Sequence, residues 1–282
     1  MKNRLLRRLI PDETYMAWQY QQCLNKPLNL QNPQTFNEKI QWIKLNWRVD
    51  ILTRCADKYE VRGFVQSRIG GDTLKALYGV YQNPDEINPD TLPDRFMLKV
   101  NHGCSQNIPC RNKSEMDWNK TRRQLRQFLK SNLFQHGREW SYKNIPPRIL
   151  CEEYLEGHPL MDYNIFCFDG VPRFVEVIAD RMGSPRVNMF DLDWNPLQRI
   201  YATPPLGELF RRPSNFDQIL KDAAALAQGF PFVRVDFFDD GRKIFFGELT
   251  FYPYNGLNPF KPETFDAFLG SFLKLPPKVS RS

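Results

Sequence analysis

The chain has 282 residues and a formal net charge of +7, from 39 basic and 32 acidic side chains. A chain of this length can bury a sizeable core, either as one large domain or as two to three closely packed lobes. It contains no apolar run of about 18 residues, so we expect no membrane-spanning helix. Its basic residues are too spread out to form a nucleic-acid-binding module, so we expect no nucleic-acid partner.

The use of cysteine and histidine indicates a reducing compartment. The six cysteines have no CxxC spacing, and the three histidines share no metal-ligand spacing. Scattered free thiols are typical of cytoplasmic proteins, and a zinc site needs clustered ligands. We therefore expect a cytoplasmic protein without a zinc centre.

The first fifty residues are predicted to be mainly helical. Residues 13–23 and 37–46 carry apolar side chains at three-and-four spacing, and Thr35 with Glu38 has the pattern of a capping box. Residues 1–10 mix leucine and isoleucine with arginine and lysine, so they can contact an anionic membrane peripherally, which would place the protein at the inner face of the membrane. A capping helix packed on the body is the alternative that we favour.

A lysine inside an apolar strand is a first candidate binding residue. Lys99 lies in the predicted strand 95–100, and a loop of small and polar residues with His102 and Gly103 follows it. Burying an unpaired ammonium is costly, so Lys99 needs an anionic partner. The backbone amides of such a loop can approach an anion closely. Although the loop has no Walker A sequence, the segment predicts phosphate as the partner.

Residues 149–157 predict a strand that runs into a turn. The backbone groups of Glu153 and Leu155 can bind the edge of an adenine, with Leu155 packing on the base and with Glu152 and Tyr154 completing the segment. A plain exposed strand end rich in glutamate would have the same sequence. Both interpretations stay open at this stage.

The second half of the chain predicts further hairpins and one helix. Residues 161–181 read as two strands with a turn at Asp169-Gly170, and residues 188–200 as a further strand pair. Residues 216–228 have the spacing of an amphipathic helix.

The last hairpin carries the residues that suggest a metal. Its strands are predicted at 233–238 and 243–251, with turn residues between them. If Asp236 lies opposite Glu248, both carboxylates and Thr250 share one face, and a cation between the two acids relieves their repulsion. Mg²⁺ fits this position and implies a nucleotide. An ordinary amphipathic hairpin with a polar solvent face is the alternative.

Two arginines are candidates for binding the reacting group. Arg234 shares the face of Asp236, and Arg181 ends the strand that should pass over the same cleft. Their planar forks suit a substrate carboxylate and, later, a tetrahedral oxyanion. For Arg181 a salt bridge with Asp180 or Glu176 is the alternative.

Five segments together resemble the TupA-like ATP-grasp family of bacterial surface-polysaccharide biosynthesis, and the resemblance spans residues 11 to 275. The segments are 32–39 (Asn-Pro-Gln-Thr-Phe-Asn-Glu-Lys), 57–62 (Asp-Lys-Tyr-Glu-Val-Arg), 99–103 (Lys-Val-Asn-His-Gly), 162–170 (Asp-Tyr-Asn-Ile-Phe-Cys-Phe-Asp-Gly) and 247–251 (Gly-Glu-Leu-Thr-Phe). The resemblance implies an α/β (α+β) class and an ATP-grasp fold, in which two lobes with antiparallel sheets clasp ATP. We expect an N-terminal helical segment (1–50), an N-terminal lobe (51–95), the small ATP-grasp lobe (96–160) and a C-terminal lobe with the metal site (161–282).

The resemblance also implies roles for single residues, with ATP and Mg²⁺ as cofactors. Phosphate binding falls to Lys58 and Lys99, adenine binding to Glu153 and Leu155, and magnesium binding to Asp236, Glu248 and Thr250. Four further residues are expected to bind the cofactor, namely His102, Gly103, Glu152 and Tyr154. The carboxylate expected to hold ribose is missing at Pro159, which leaves Asp162. Two positions depart from the expected pattern: Thr250 replaces the Asn of most ATP-grasp ligases, and Asn164 stands where we expect lysine.

The implied activity is that of a carboxylate–amine ligase. A substrate carboxylate attacks the γ-phosphate of Mg-ATP, and an amine then captures the acyl phosphate to give an amide. The family setting implies a uronic-acid-containing glycan or sugar and an amino acid or amine as partners. A glycosyltransferase using Asp191 and Asp193 is the alternative enzyme. A non-catalytic polyanion-binding module is a third hypothesis, against which Lys99, Asp236 and Glu248 argue.

Overall fold

The computed structural model describes residues 9–155, 161–179, 184–197 and 212–279. These residues form two antiparallel sheets with helices packed on them. The helices are α1 (Asp12–Leu24), α2 (Phe36–Asn46), α3 (Asp50–Ala56), α4 (Val61–Ile69), α5 (Trp118–Leu129), α6 (Phe134–Gly137), α7 (Phe216–Ala227) and α8 (Thr264–Phe272). The strands are β1 (Leu77–Tyr81), β2 (Phe96–Val100), β3 (Asn107–Cys110), β4 (Ile149–Glu152), β5 (Met161–Phe168), β6 (Val171–Ala179), β7 (Arg186–Asp191), β8 (Phe232–Asp239) and β9 (Ile244–Thr250).

The N-terminal helices form as predicted. Helix α2 begins at a capping box, in which the Glu38 amide donates to Thr35 Oγ1 at 3.2 Å and the Thr35 amide donates to Glu38 Oε2 at 3.0 Å. On the same helix, Asn37 donates to both carboxylate oxygens of Asp266 on α8, each at 2.9 Å. The helical segment is therefore tied to the end of the chain. The predicted membrane contact concerns mainly residues 1–8, which lie outside the described residues.

The first sheet has the strand order β1-β4-β2-β3. Helix α5 packs on it, with Leu125 in the same core as Leu98. This helix begins at Trp118, because Asp117 caps it by accepting a hydrogen bond from the Lys120 amide at 2.9 Å. The proline-rich connection 84–93 buries its apolar residues Ile87 and Leu92 in this core.

The second sheet has the order β7-β6-β5-β8-β9 and contains both predicted hairpins. Cys167 Sγ lies 4.0 Å from the Ala223 carbonyl oxygen, so the odd-numbered positions of β5 face helix α7. Even-numbered positions of β5 therefore face the opposite side of the sheet. Of the predicted strand pair 188–200, β7 forms, and Phe190 bridges to Pro196, while residues 198–200 lie outside the described residues.

The even-numbered face carries four polar residues in line across four strands. The register pairs Glu176 with Asn164, Asn164 with Asp236, and Asp236 with Glu248, which confirms the predicted pairing of the last two. We call Glu176, Asn164, Asp236 and Glu248 the polar row.

Among the described residues, no helix combines the length and the apolar character that crossing a bilayer requires.

Candidate active site

A cavity that is rich in basic side chains lies between the two sheets. Four basic side chains surround it, namely Lys58, Arg62, Lys75 and Lys99. Glu152 also lines it, and Phe246 and Gly247 of β9 contribute from the second sheet. The cavity therefore brings together Lys58, Lys99 and Glu152, three of the residues predicted to bind nucleotide.

Lys99 has a carboxylate partner within the protein. Its Nζ lies 2.6 Å from Glu152 Oε2, and the two residues are 7% and 2% exposed. The partner expected from the sequence was phosphate; Glu152, on the neighbouring strand β4, supplies the negative charge because it is buried beside the ammonium. Burial lowers the pKa of Lys99 to about 8, Glu152 opposes this shift, and the nearby Lys75 and Lys58 add to it.

Glu152 is the centre of a wider cationic cluster. Arg62 Nη1 lies 3.7 Å from Oε1 and Lys75 Nζ lies 3.6 Å from Oε2 of this carboxylate. Burial acts to raise the pKa of Glu152, but Lys99 and Lys75 outweigh it and the pKa is lowered. The sequence prediction missed Arg62 and Lys75, which lie on an ordinary helix face and in a loop. Neither residue stands inside an apolar strand as Lys99 does, so the sequence carried no comparable signal for them.

Lys58 joins the two sides of the cavity. Its Nζ donates to the Gly103 carbonyl oxygen at 2.9 Å and lies 3.1 Å from Glu248 Oε2. The Lys58 ammonium holds the pKa of Glu248 down at about 2, against the effect of burial. Burial acts to lower the pKa of Lys58, but Glu248 outweighs it and the pKa is raised. His102, in the same loop, is 3% exposed, and burial lowers its pKa.

The predicted metal residues share one face and are close together. Thr250 Oγ1 lies 3.2 Å from Asp236 Oδ2 and 3.2 Å from Glu248 Oε1. A hydroxyl has one proton, so it can donate to only one of these oxygens at a time. A hard cation would satisfy all three oxygens at once, so this donor set fits Mg²⁺. Within the described residues, no cluster of three or more histidine, cysteine, aspartate or glutamate side chains is arranged to hold a metal.

The Arg234 fork is directed at Asp236. Nε and Nη2 donate to the two carboxylate oxygens at 2.8 and 2.7 Å, and Nη1 lies 3.8 Å from Glu176 Oε2. Burial opposes the charge, but Asp236 outweighs it and raises the pKa of Arg234 further. Arg234 thus orients a predicted metal ligand, and its contact with a substrate carboxylate stays a prediction. Arg181 lies outside the described residues.

The predicted adenine segment is only partly available for a base. The Glu153 amide donates to the Ala76 carbonyl oxygen at 2.9 Å, which extends the pairing of β1 with β4. The carbonyl of Glu153 and the backbone of Leu155 are the groups left to bind adenine. The Tyr154 hydroxyl accepts a hydrogen bond from Arg111 Nε at 3.1 Å. Asp162 lies on β5 and is 1% exposed. The adenine and ribose roles of these residues stay predictions.

Two further polar residues beside the metal face were not predicted. Glu176 is fully buried at one end of the polar row, and Tyr254 donates to it at 2.6 Å. The signal for Glu176 was present in the sequence, because a carboxylate between Val175 and Val177 is as unusual as Lys99 in its strand. Tyr254 had no such signal.

Comparisons with known proteins concern the family and the fold of the chain. The sequence matches the family model described as TupA-like ATPgrasp over residues 38–274. The structure is similar to L-amino acid ligase from Bacillus licheniformis, with a TM-score of 0.50, 12% identity, and coverage of 80% of this chain and 51% of that one. It is also similar to D-alanine–D-alanine ligase from Bacillus anthracis complexed with ATP, with a TM-score of 0.41, 13% identity, and coverage of 76% and 55%.

The chain thus spans about half the length of these two ligases. No curated protein matches the sequence significantly. The family match, together with the two antiparallel sheets, confirms the predicted ATP-grasp fold.

Proposed function

Because the chain belongs to the TupA-like ATP-grasp family, we propose that it is an ATP-dependent ligase that joins a carboxylate to an amine through an acyl phosphate. One observation carries the proposal: a cavity with four cations opens beside Asp236, Thr250 and Glu248. Among the described residues, Glu152 and Glu248 balance two of these positive charges. A polyphosphate with its metal is the ligand whose charge fits both parts of the site.

In this proposal each group has a defined task. Lys58 and Lys99 bind phosphate oxygens, and Glu152 keeps Lys99 directed into the cavity. Asp236, Glu248 and Thr250 would hold Mg²⁺, which neutralises the transferred phosphoryl group when it is bound. Arg234 fixes the Asp236 carboxylate through its two hydrogen bonds.

For the substrates, we propose a uronic acid of a bacterial surface polysaccharide as the carboxylate and an amino acid as the amine. The family resemblance supports this choice, and a cytoplasmic enzyme at the inner face of the membrane would meet such precursors. The alternative glycosyltransferase needs free carboxylates at Asp191 and Asp193. However, the Asp191 carboxylate accepts bonds from Asn195 N at 2.7 Å and from Asn195 Nδ2 at 2.9 Å, as a turn residue does.

The test is product analysis with ATP, Mg²⁺ and a panel of uronic acids and amino acids. ADP and orthophosphate that appear only when both substrates are present support the ligase. AMP with pyrophosphate, or turnover of a nucleotide sugar without ATP, would overturn it.

The matched variants are Glu248→Gln in the site and Glu263→Gln on the surface, where the side chain is 76% exposed. Glu248→Gln keeps the shape and removes a metal charge, so ADP release should fall at least about tenfold, or about 1.4 kcal/mol in barrier. Glu263→Gln should leave it unchanged. Turnover retained in Glu248→Gln would show that the metal assignment is wrong.

A further inference from the structure

The Glu152 carboxylate lies among three cations at unequal distances. Lys99 Nζ lies 2.6 Å from Oε2, whereas Lys75 Nζ lies 3.6 Å from Oε2 and Arg62 Nη1 lies 3.7 Å from Oε1. A charge-assisted hydrogen bond between nitrogen and oxygen is usually about 2.7–2.9 Å long. Lys99 is therefore at bonding distance from the carboxylate, and each of the other two cations is within about 1 Å of that distance.

All four side chains line the same cavity and have little contact with bulk water. Lys99 and Glu152 are buried, and the side chains of Lys75 and Arg62 are only 14% and 20% exposed. Charges interact strongly in such surroundings because few water molecules screen them. A new charge that enters the cavity must therefore affect every member of this cluster.

Two contacts keep Lys75 and Arg62 beside Glu152. Arg62 Nη2 donates to the Lys75 carbonyl oxygen at 2.8 Å, which leaves Nη1 next to the carboxylate. The Lys75 ammonium lies 5.0 Å from the ring centroid of Phe238 on β8. Among the described residues, Glu152 is the carboxylate with which both cations form ion pairs. Their positive charges are therefore available to Glu152 without the loss of another ion pair.

A bound polyphosphate changes the balance of charge at Glu152. In the proposed function Lys99 binds phosphate oxygens, so its single positive charge is shared between Glu152 and a second anion. A buried carboxylate that loses part of its compensation costs free energy. Small rotations of the Lys75 and Arg62 side chains would bring both cations to bonding distance and restore that compensation.

We propose that Arg62 and Lys75 are positioning residues that pair with Glu152 in place of Lys99 when a polyphosphate binds Lys99. The exchange keeps the buried carboxylate neutralised in both states, so the Lys99 ammonium can bind the phosphate oxygens. This inference rests on the proposed function, in which a polyphosphate enters this cavity, and adds two residues to those that binding requires.

A double-mutant cycle tests the exchange, with Mg-ADP and inorganic tripolyphosphate as probes. Calorimetry at pH 6.5 keeps the Lys99 ammonium charged in the wild-type protein, because the pKa of Lys99 is about 8. Lys75→Met should raise the Kd of both probes at least about tenfold. In the Glu152→Gln background the same substitution should raise the Kd less than about threefold, since no carboxylate then needs a second cation.

Equal losses of affinity in the two backgrounds would overturn the proposal, because Lys75 would then act on the phosphate itself. An unchanged Kd in the single variant Lys75→Met would overturn it as well. Lys75→Arg keeps the charge and should retain most of the affinity. Lys221→Met is the matched control, because it removes the same charge from an exposed position on α7 and should change the Kd less than about threefold.

A crystal structure with bound Mg-ADP provides a second test that needs no variant. Lys99 Nζ should lie at bonding distance from a phosphate oxygen, and Lys75 Nζ and Arg62 Nη1 should lie within about 3.2 Å of Glu152. A complex in which Lys75 and Arg62 instead bind the phosphate, while Lys99 keeps its contact with Glu152, would overturn the exchange.

The exchange and the ligase proposal fail separately. If the probes bind with the predicted coupling but no substrate pair gives ADP, the ligase assignment is overturned and the exchange stands. If ADP forms but Lys75→Met weakens binding equally in both backgrounds, the exchange alone is overturned. Failure of both probes to bind the wild-type protein would overturn both proposals.

Discussion

At the scale of single residues, the buried ion pair of Lys99 and Glu152 determines how a substitution at position 99 affects stability. With Nζ and Oε2 only 2.6 Å apart and both groups buried, removal of the ammonium leaves a buried carboxylate. Lys75 and Arg62 are more distant, at 3.6 and 3.7 Å, and compensate only in part. If Lys99 had no partner within the protein, replacing it would not destabilise the ligand-free fold. Because Lys99 neutralises the buried Glu152, the ligand-free fold requires it.

We predict that Lys99→Met destabilises the ligand-free protein by about 1–3 kcal/mol, below the usual cost of breaking a buried ion pair because two cations remain near Glu152. Urea unfolding measures this, with Lys120→Met on the exposed face of α5 as the control. The double variant Lys99→Met/Glu152→Leu should regain most of the lost stability. An unchanged midpoint in Lys99→Met would show that Lys75 and Arg62 suffice for Glu152.

The lowered pKa of Lys99 predicts a pH dependence of nucleotide binding. Below its pKa of about 8 the ammonium is charged and can bind phosphate, and above this pH it is increasingly neutral. Because phosphate binds the protonated form, affinity for Mg-ATP should fall as the pH rises through 8, by at most about tenfold per pH unit for one proton. Titration calorimetry between pH 7 and 9.5 measures it. In Lys99→Met this dependence should disappear; if the slope persists there, another group causes it.

For Arg234 we predict separate effects on metal and on chemistry. Arg234→Lys keeps the charge but loses the fork that holds both oxygens of Asp236. The Mg²⁺ concentration for half-maximal ATP binding should rise, while at saturating Mg²⁺ the Kd of Mg-ATP stays within about threefold and ligation falls at least about tenfold. Arg242→Lys, in the exposed turn of the same hairpin, is the control. Equal losses in nucleotide affinity and ligation would assign Arg234 to the nucleotide site.

At the scale of elements, one glycine allows the N-terminal helices to dock. A Cβ at Gly270 in α8 would meet the Gln34 carbonyl oxygen and lie 2.8 Å from the Phe36 amide nitrogen. These are backbone atoms at the start of α2, where the capping box fixes the chain. Because these neighbours are backbone atoms, no side chain can move aside to make room for the added Cβ.

We therefore predict that Gly270→Ala lowers the free energy of unfolding by at least about 2 kcal/mol, through overpacking. Gly63→Ala is the matched control, because this helical glycine has its nearest neighbour, Arg54 Nη2, at 3.7 Å. It should raise stability by about 0.5–1 kcal/mol through helix propensity. Both values come from denaturant unfolding. Similar effects of the two alanines would refute the packing argument.

At the scale of the whole molecule, the sequence predicted local geometry better than side-chain partners. Alternation along β8 and β9, with turn residues between them, was enough to place Asp236 opposite Glu248. The neighbours of β8 across the sheet were not predictable in this way, because β5 pairs with it over a long separation in sequence. Which charged side chains contact one another depends on such distant strand pairings. The two hydrogen bonds of Arg234 to Asp236 were therefore evident only in the folded structure.

Lys58 contacts Gly103 on one side of the cavity and Glu248 on the other. If the proposed site is correct, Lys58 would also couple the binding of nucleotide to the binding of Mg²⁺. Mg²⁺ arriving alone competes with an ammonium already bound to its carboxylate ligand. A nucleotide offers that ammonium a second anion and so releases Glu248. The two ligands must then strengthen each other by the same factor, since coupling between sites is reciprocal.

The order of addition follows from this coupling. Calorimetry should show weak Mg²⁺ binding to the free protein and tighter binding once ADP is present. Lys58→Met should bind Mg²⁺ without nucleotide and lose most of the cooperativity. If Mg²⁺ binds the wild-type protein equally well with and without ADP, Lys58 does not compete with Mg²⁺ for Glu248, and the two ligands bind independently.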